Sequence, residues 1–184
     1  MTFWYGKMRS YLQPWISTRF TAKEVADNVF LGDIASAYNR KALKKLGITH
    51  LLCTVLGIEP VYPKDFVYMN VHLRDVKGET ILSSLNKCTQ FIEDAVSKDG
   101  KVLVHCMCGI SRSSSMVIAY LINKRAQTYE SAIKQITERR PIVNPNPSFQ
   151  QQLVNYEEMT RTILLDDVNR TRIVKLRRSH SALF

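Results

Sequence analysis

The chain has 184 residues, of which 45% are hydrophobic and 23% are charged, and its formal net charge is +10. This length and composition fit one compact domain with a sizeable core, and the chain contains no internal repeat or low-complexity block. No apolar run reaches the roughly 18 residues of a membrane helix, and Lys7 and Arg9 interrupt the aromatic start. We therefore expect neither a membrane span nor a secretion signal.

Helical and strand-like patterns alternate along the chain. Helical spacing over residues 37–46 ends at Gly47 and predicts a first helix, whereas short apolar stretches over 49–55, 66–71 and 101–104 predict strands. Three further helices are predicted by a stripe of apolar residues, by Thr128 as an N-cap, and by Asn146 followed by Pro147; the stripe comprises Leu82, Leu85, Cys88, Phe91, Ile92, Ala95 and Val96. This alternation predicts an α/β fold with a mostly parallel sheet covered on both faces.

The stretch from His105 to Ser113 carries the strongest functional signal. It joins the apolar run 101–104 to the apolar run 116–122, which is long enough to begin a buried helix, so we expect a strand-to-helix turn. Such a turn directs backbone N–H groups and a helix N-terminus into one concavity that suits a phosphate dianion. Gly109 supplies the backbone freedom that the turn needs.

Two side chains in this turn predict phosphoryl transfer to sulfur. The helix N-terminus would favour the thiolate of Cys106 and make it a nucleophile. Arg112 offers a planar fork of donors that matches two phosphate oxygens, which a lysine cannot do.

The Cys-x5-Arg spacing, preceded by His105 and followed by Ser113, resembles the cysteine-dependent protein tyrosine phosphatase superfamily, and its details resemble the dual-specificity branch. The resemblance extends over roughly residues 24 to 160. It is strengthened by four flanking stretches, which are Val29 to Gly32, Leu46 to His50, Ala119 to Leu121 and Pro145 to Leu153. It implies a small, atypical dual-specificity phosphatase with a central, twisted, mostly parallel sheet of about five strands flanked by helices.

The resemblance also implies a role for each residue of the turn. Cys106 attacks phosphorus and forms a phosphocysteine, while Arg112 and the loop amides hold the phosphate oxygens. The hydroxyl of Ser113 helps the thiolate leave in the second step, His105 is structural and not a base, and Asn146 steadies the loop. The remaining phosphate-binding positions are Met107, Cys108, Gly109, Ile110 and Ser111.

The family reaction needs a general acid from a separate loop, and Asp75 is our candidate. It follows the strand-like stretch 66–71 and lies 31 residues before Cys106, as the family arrangement requires. A carboxylic acid there protonates the leaving oxygen and then, as a carboxylate, accepts a proton from water. Glu79 is the nearest rival and Asp65 a weaker one.

We expect no metal and no other cofactor, because Arg112 and the backbone supply the positive charge. His105, Cys106 and Cys108 could be read as metal ligands, but one CxC without a second ligand pair is poor evidence for zinc.

The other cysteines are predicted to be core residues or partners of Cys106 in redox protection. Cys88 is expected in the core, and so is Cys53, although by resemblance Cys53 could also protect an oxidised Cys106 as a resolving cysteine. Cys108 is a second candidate for that role, but a disulfide across one residue is strained.

Both ends of the chain are basic. We divide the chain into an aromatic and basic extension at 1–23, a catalytic domain at 24–160 and a basic tail at 161–184, which carries six Arg or Lys against two Asp. The tail is read as a solvated segment or as a contact for an acidic partner or an anionic membrane, and the extension as a docking or dimerisation element. Reduced cysteines and the lack of a terminal lipidation signal lead us to expect a cytoplasmic location, with the nucleus as a second compartment.

The expected substrates are phosphoproteins, with kinases among the candidates. Lipid-directed relatives carry lysines in the loop, whereas this loop has neutral side chains, so a phosphoinositide or another non-protein phosphate monoester is the alternative. A phosphoprotein-binding scaffold without activity is a further alternative, although such relatives typically lack the cysteine, the arginine or the acid, all of which this chain retains.

Overall fold

The computed structural model describes the backbone of residues 20–181 and the side chains of residues 20–166. Within this part of the chain, no helix combines the length and apolarity that crossing a membrane requires. The roles predicted for the N-terminal extension, and for the tail beyond residue 166, lie outside the described side chains.

A five-stranded sheet forms the centre of the fold. Its strands are β1 (Lys23–Ala26), β2 (Val29–Gly32), β3 (Ile48–Cys53), β4 (Val67–Asn70) and β5 (Lys101–His105). Their order across the sheet is β1-β2-β5-β3-β4, and only the edge pair β1 and β2 is antiparallel. The predicted mostly parallel sheet of about five strands is therefore confirmed.

Helices cover both faces of the sheet. In chain order they are α1 (Ile34–Tyr38), α2 (Arg40–Leu46), α3 (Leu82–Val96), α4 (Arg112–Arg125), α5 (Tyr129–Arg139) and α6 (Pro147–Ser181). Successive side chains of a strand point to opposite faces: Leu103 packs with Phe30 and Leu51 on the side of α1 and α2, whereas Val102 and Val104 join the larger core beneath the other helices. Because β5 is covered on both faces, its three central residues, Val102, Leu103 and Val104, are all apolar.

The prediction of a single helix over residues 37–46 is wrong, because the helical conformation is interrupted at Asn39, between α1 and α2. The Asn39 side chain accepts a hydrogen bond from the N–H of Ala42 at 3.0 Å and thereby caps α2. A short polar side chain of this kind competes for backbone groups and so starts a new helix. The N-cap at Thr128 and the helix start at Pro147 are found as predicted.

The sheet topology brings one end of β5 to the centre of the molecule. His105, the last residue of β5, pairs with Gly32 of β2 on one side and with Cys53 of β3 on the other. Ligands of open α/β sheets bind beyond the carboxyl ends of such parallel strands. The residues after His105 therefore lie where the fold can hold a ligand.

Candidate active site

The segment between β5 and α4 wraps around the sulfur of Cys106. The N–H of Gly109 and the hydroxyl of Ser113 each donate a hydrogen bond to Sγ at 3.2 Å. Gly109 has a φ of +69°, in the left-handed region that favours glycine. We call residues 105–113 the phosphate loop; as predicted, they form a strand-to-helix turn.

Close packing at the back of the loop also demands glycine. A Cβ on Gly109 would lie 2.6 Å from the carbonyl oxygen of Gly32 and 2.7 Å from Nη2 of Arg140. Both distances are far inside van der Waals contact, so any side chain at this position would push the loop away from β2.

Cys106 is 1% exposed, and its surroundings favour the thiolate. Burial raises the pKa of a thiol, but hydrogen bonds to Sγ outweigh burial here and hold the pKa of Cys106 below its ordinary value. These bonds come from the hydroxyl and backbone of Ser113 and from the backbone of Gly109 and Ile110. The sulfur therefore lies in a pocket of donors that suits an anion.

Arg112 begins α4 and lies beside the loop with a largely buried side chain. Its Nη1 donates to the carbonyl oxygen of Leu73 at 3.2 Å, and its Nε lies 3.5 Å from Oδ2 of Asp75. The second distance is an ion-pair distance but too long for a strong hydrogen bond. Arg112 thus links the phosphate loop to the loop that carries Asp75.

Asp75 is held against the phosphate loop by residues that are distant in sequence. Its Oδ1 accepts hydrogen bonds from the hydroxyl of Ser111 at 2.7 Å and from Nδ2 of Asn146 at 2.8 Å. Its side chain keeps 33% of its area exposed. A carboxylate placed in this way can reach both the loop and solvent.

The two rival carboxylates are engaged elsewhere. Glu79 accepts from Nε of Arg74 at 3.0 Å, and Asp65 pairs with Arg40 and Lys44, each at 2.6 Å. Hydrogen bonds from Arg40 and Lys44 hold the pKa of Asp65 well below its usual range, so this residue stays ionised and is unsuited to proton donation.

The side chain of Asn146 makes two contacts that differ in kind. Its Oδ1 accepts from the N–H of Phe149 at 3.0 Å and caps α6, while its Nδ2 donates to Asp75. Its own N–H donates to the hydroxyl oxygen of Ser111 at 3.0 Å. The start of α6, the phosphate loop and the Asp75 loop therefore meet at this residue.

His105 lies buried beneath the loop. Burial lowers its pKa to about 4, and the backbone of Cys106 and the charge of Asp33 offset this only in part. The imidazole is therefore neutral at pH 7. The carbonyl oxygen of His105 accepts from both the N–H and the hydroxyl of Thr54, at 3.0 and 3.1 Å.

The mouth of the site is neutral and partly apolar. Met107 is 43% exposed and Ile110 is 36% exposed, and Cys108 is exposed as well. Apart from Arg112, whose side chain is largely buried, the loop contains no lysine or arginine.

Cys53 lies next to the site, in a small buried cluster that contains Val55 and Cys106. Burial is the main cause that raises the pKa of Cys53 to about 11, and the charge of Cys106 adds to it. Cys88 lies in the core, where burial raises its pKa to about 12. All four cysteines of the chain are free thiols.

Arg140 and Gln152 lie against the site but were not identified from the sequence. Arg140 donates to the carbonyl oxygens of Cys108 and Gly109, and Gln152 bonds the backbone of Glu79 and Ile81. Both residues act on backbone groups far away in sequence, so no local pattern marks them. Within residues 20–166, no group of three or more His, Cys, Asp or Glu side chains is placed to hold a metal ion.

Comparison with known proteins assigns this site to a family. A family model described as dual specificity phosphatase, catalytic domain, matches residues 29–159. The chain belongs to the dual specificity phosphatase family.

Curated relatives extend the similarity. Dual specificity protein phosphatase 1 of Arabidopsis thaliana is 35% identical over 134 residues, which cover 73% of this chain and 68% of the relative. MAP kinase phosphatase with leucine-rich repeats protein 3 of Dictyostelium discoideum is 41% identical over 135 residues, which cover 73% of this chain but only 16% of that protein. Its similarity to this chain is therefore limited to one domain.

Among solved structures, the human tyrosine phosphatase-like serine/threonine/tyrosine-interacting protein has a TM-score of 0.74 and 34% identity. The match covers 77% of this chain and 98% of that one. The shared fold agrees with the predicted protein tyrosine phosphatase-like class.

Proposed function

We propose that this chain is a phosphoprotein phosphatase that hydrolyses phosphotyrosine and phosphoserine or phosphothreonine through a phosphocysteine on Cys106. The observation that carries the proposal is that Cys106, Arg112 and Asp75 meet at one site, with the sulfur held among hydrogen-bond donors. Family membership supports the same activity.

The first step transfers the phosphoryl group to sulfur. The Cys106 thiolate attacks phosphorus, Arg112 and the loop N–H groups bind the phosphate oxygens, and Asp75 protonates the leaving oxygen. Asp75 is supported in this role because it lies within ion-pair distance of Arg112, the residue that would bind the phosphate. The product is a free hydroxyl on the substrate.

The second step hydrolyses the phosphocysteine. The Asp75 carboxylate accepts a proton from water as the water attacks phosphorus, and sulfur leaves as a thiolate. The hydroxyl of Ser113, at 3.2 Å from Sγ, donates to the developing thiolate and so favours its departure. The two steps together consume water and release inorganic phosphate.

The exposed side chains of the loop support a protein substrate. A polyanionic lipid headgroup would be bound best by added positive charge, whereas Met107, Cys108 and Ile110 at the mouth are neutral. Apolar side chains at this position fit the side chains that flank a phosphorylated residue in a protein. Phosphoproteins, kinases among them, are therefore the proposed substrates, and a phosphoinositide is the alternative.

We also propose that residues 24–160 form the catalytic domain, since the family match covers 29–159. The last helix continues from Pro147 to Ser181, across the start of the proposed tail. An acidic partner or an anionic membrane as the contact of the tail, dimerisation through residues 1–23, and a cytoplasmic or nuclear location stay predictions.

The test is dephosphorylation of an aryl phosphate and of matched phosphotyrosine and phosphothreonine peptides. We expect Cys106→Ser to lose turnover by at least about 10⁴-fold because the nucleophile is removed, while it still binds phosphopeptide. Equal rates in the wild type and the Cys106→Ser variant would contradict the mechanism.

Two further arms separate the alternatives. A higher kcat/KM for phosphoinositide in vesicles than for any phosphopeptide would favour the alternative of a lipid substrate. Binding of phosphopeptide by the wild type without turnover would identify an inactive scaffold.

A further inference from the structure

The guanidinium of Arg140 lies directly behind the phosphate loop and is not among the residues that bind phosphate or attack it. Arg140 directly follows α5 as its C-cap residue and is 5% exposed. Its Nε donates to the carbonyl oxygen of Gly109 at 3.0 Å, its Nη2 to that of Cys108 at 3.2 Å, and its Nη1 to that of Thr21 at 2.7 Å. A buried cation is thus paired with three backbone carbonyls.

Two of these carbonyls control the direction of N–H groups that face the site. In a trans peptide the C=O and the following N–H point in opposite directions. The carbonyl of Cys108 shares its peptide with the N–H of Gly109, and the carbonyl of Gly109 shares its peptide with the N–H of Ile110. When Arg140 binds both carbonyls from behind, both N–H groups are turned toward the front of the loop.

The front of the loop is where the sulfur lies. The N–H of Gly109 donates to Sγ of Cys106 at 3.2 Å, and the backbone of Ile110 also forms a hydrogen bond to this sulfur. We propose that Arg140 is a positioning residue that fixes these two N–H groups toward the phosphate site, so that phosphate binding and the reactivity of Cys106 both depend on it. This inference rests on the proposed function of Cys106 as the nucleophile.

The shape of the side chain is essential to this role. Nε and Nη2 lie on one edge of the planar guanidinium and reach two consecutive carbonyls at once, which a lysine ammonium cannot do with fixed geometry. Arg140 also lies near Asp33, whose pKa is raised by burial but lowered overall by hydrogen bonds with Ser36 and Thr21 and, least of all, by the charge of Arg140. The three backbone carbonyls therefore fix the orientation of the fork.

The test compares Arg140→Lys and Arg140→Met with the wild type and with Arg139→Met, the exposed neighbouring arginine. Three quantities are measured: the pH midpoint for alkylation of Cys106 by iodoacetate, read by mass spectrometry of its peptide; the inhibition constant of inorganic phosphate; and the melting temperature. The first two report on the N–H groups, and the third reports on the fold alone.

We expect Arg140→Met to raise the alkylation midpoint by about one pH unit and the phosphate inhibition constant by about tenfold or more. Arg140→Lys should give intermediate values, because an ammonium can bind one carbonyl but cannot span both. Arg139→Met should stay within about twofold of the wild type, since surface substitutions have small effects.

Wild-type midpoints and inhibition constants in both Arg140 variants would overturn the inference, even if the melting temperature falls. If Arg140→Met does not fold, Arg140→Lys decides by the same two readings, since it keeps the charge and most of the stem. Failure of the proposed function would look different, because the wild type itself would then lack a rapidly alkylated Cys106 and turn over no phosphate ester.

Discussion

The two loops that meet at the site are built in opposite ways. The back of the phosphate loop is packed between β5 and α4, where the backbone of Gly32 contacts Gly109 and the N–H of Thr54 donates to the carbonyl oxygen of His105. The Asp75 loop is exposed from Arg74 to Gly78 and is anchored by the buried Leu73 and Ile81 at its ends. One loop is fixed by the core of the fold, and the other by a few side-chain bonds.

The difference matches the work proposed for each loop. Binding a phosphate dianion and holding a thiolate are favoured by donors that need no rearrangement. A general acid must deliver a proton to the leaving group and then take one from water, so limited movement does not harm it. Sparse packing also lowers the local stability of the Asp75 loop relative to that of the phosphate loop.

Removing the acid should produce the largest loss outside the phosphate loop. We expect Asp75→Asn to lower kcat by about 10²- to 10⁴-fold for substrates with poor leaving groups, such as phosphothreonine peptides. An aryl phosphate with an acidic leaving group should lose far less, because it needs no protonation. Rates across a series of leaving groups measure this difference, with Glu79→Gln as the control carboxyl variant. The assignment is wrong if Glu79→Gln, and not Asp75→Asn, steepens the dependence on leaving group.

Within the phosphate loop, Ser113 offers a sharper comparison. We expect Ser113→Ala to slow breakdown of the phosphocysteine by about 10- to 100-fold and to produce a burst of the first product in rapid-mixing kinetics. Because the Ser113 hydroxyl helps to lower the pKa of Cys106, its loss should raise that pKa and reduce the thiolate fraction at a given acidic pH.

The matched control is Ser115→Ala. Ser115 is equally buried, but its hydroxyl donates to the carbonyl oxygen of Ser111 and not to sulfur. It should show no burst and no shift of the acidic limb of the pH profile. A burst in both variants would mean that the effect comes from packing in α4.

Gln152 tests the weaker anchoring of the Asp75 loop. Its Nε2 donates to the carbonyl oxygen of Glu79 at 2.9 Å, and its Oε1 accepts from the N–H of Ile81 at 2.8 Å. We expect Gln152→Leu to lower kcat for poor leaving groups by about 3- to 10-fold, with little change for an aryl phosphate. Gln151→Leu, on the exposed side of α6, is the control. Equal losses for both classes of substrate would show that Gln152 supports the fold and not the acid.

The smallest effect on basal turnover is expected for Cys53→Ser, which tests redox protection. Peroxide converts the Cys106 thiolate to a sulfenic acid with release of hydroxide, and the Cys53 thiol then forms a disulfide with release of water. Oxidation removes the Cys106 charge, one cause of the raised pKa of Cys53, and so favours this second step.

We expect Cys53→Ser to recover several-fold less activity than the wild type when dithiothreitol follows peroxide. Cys108→Ser should recover normally, because a disulfide across one residue is strained. Unchanged recovery in both variants would remove the redox hypothesis.

The sequence predicts the elements near the site better than the contacts between them. A short apolar run in β5 and a longer one in α4 flank a motif with fixed spacing, so the strand, the turn and the helix follow from local pattern. The break at Asn39 was missed because helical spacing continues through it, and only the capping bond of its side chain reveals two helices.

Long-range contacts could not be predicted in the same way. The position of Asp75 in the chain predicts its role, but its bonds to Ser111 and Asn146 span 36 and 71 residues of sequence. Arg140 and Gln152 bind backbone groups that are distant in sequence and come near them only when the chain folds. Both side chains are also of types that are usually exposed. Their hydrogen bonds to the backbone can be identified only from the folded structure, which shows the direction of each carbonyl.

The close contact between Gly109 and Gly32 limits which residues of the phosphate loop can be substituted. Even one methyl group at Gly109 would lie 2.6 Å from the backbone of β2, whereas Met107, Cys108 and Ile110 extend toward solvent. Laboratory evolution toward a new phosphopeptide thus has three adjustable positions inside the reacting loop itself. Substitutions at these three positions change the side chains that face the peptide and leave Cys106, Arg112 and Asp75 in place.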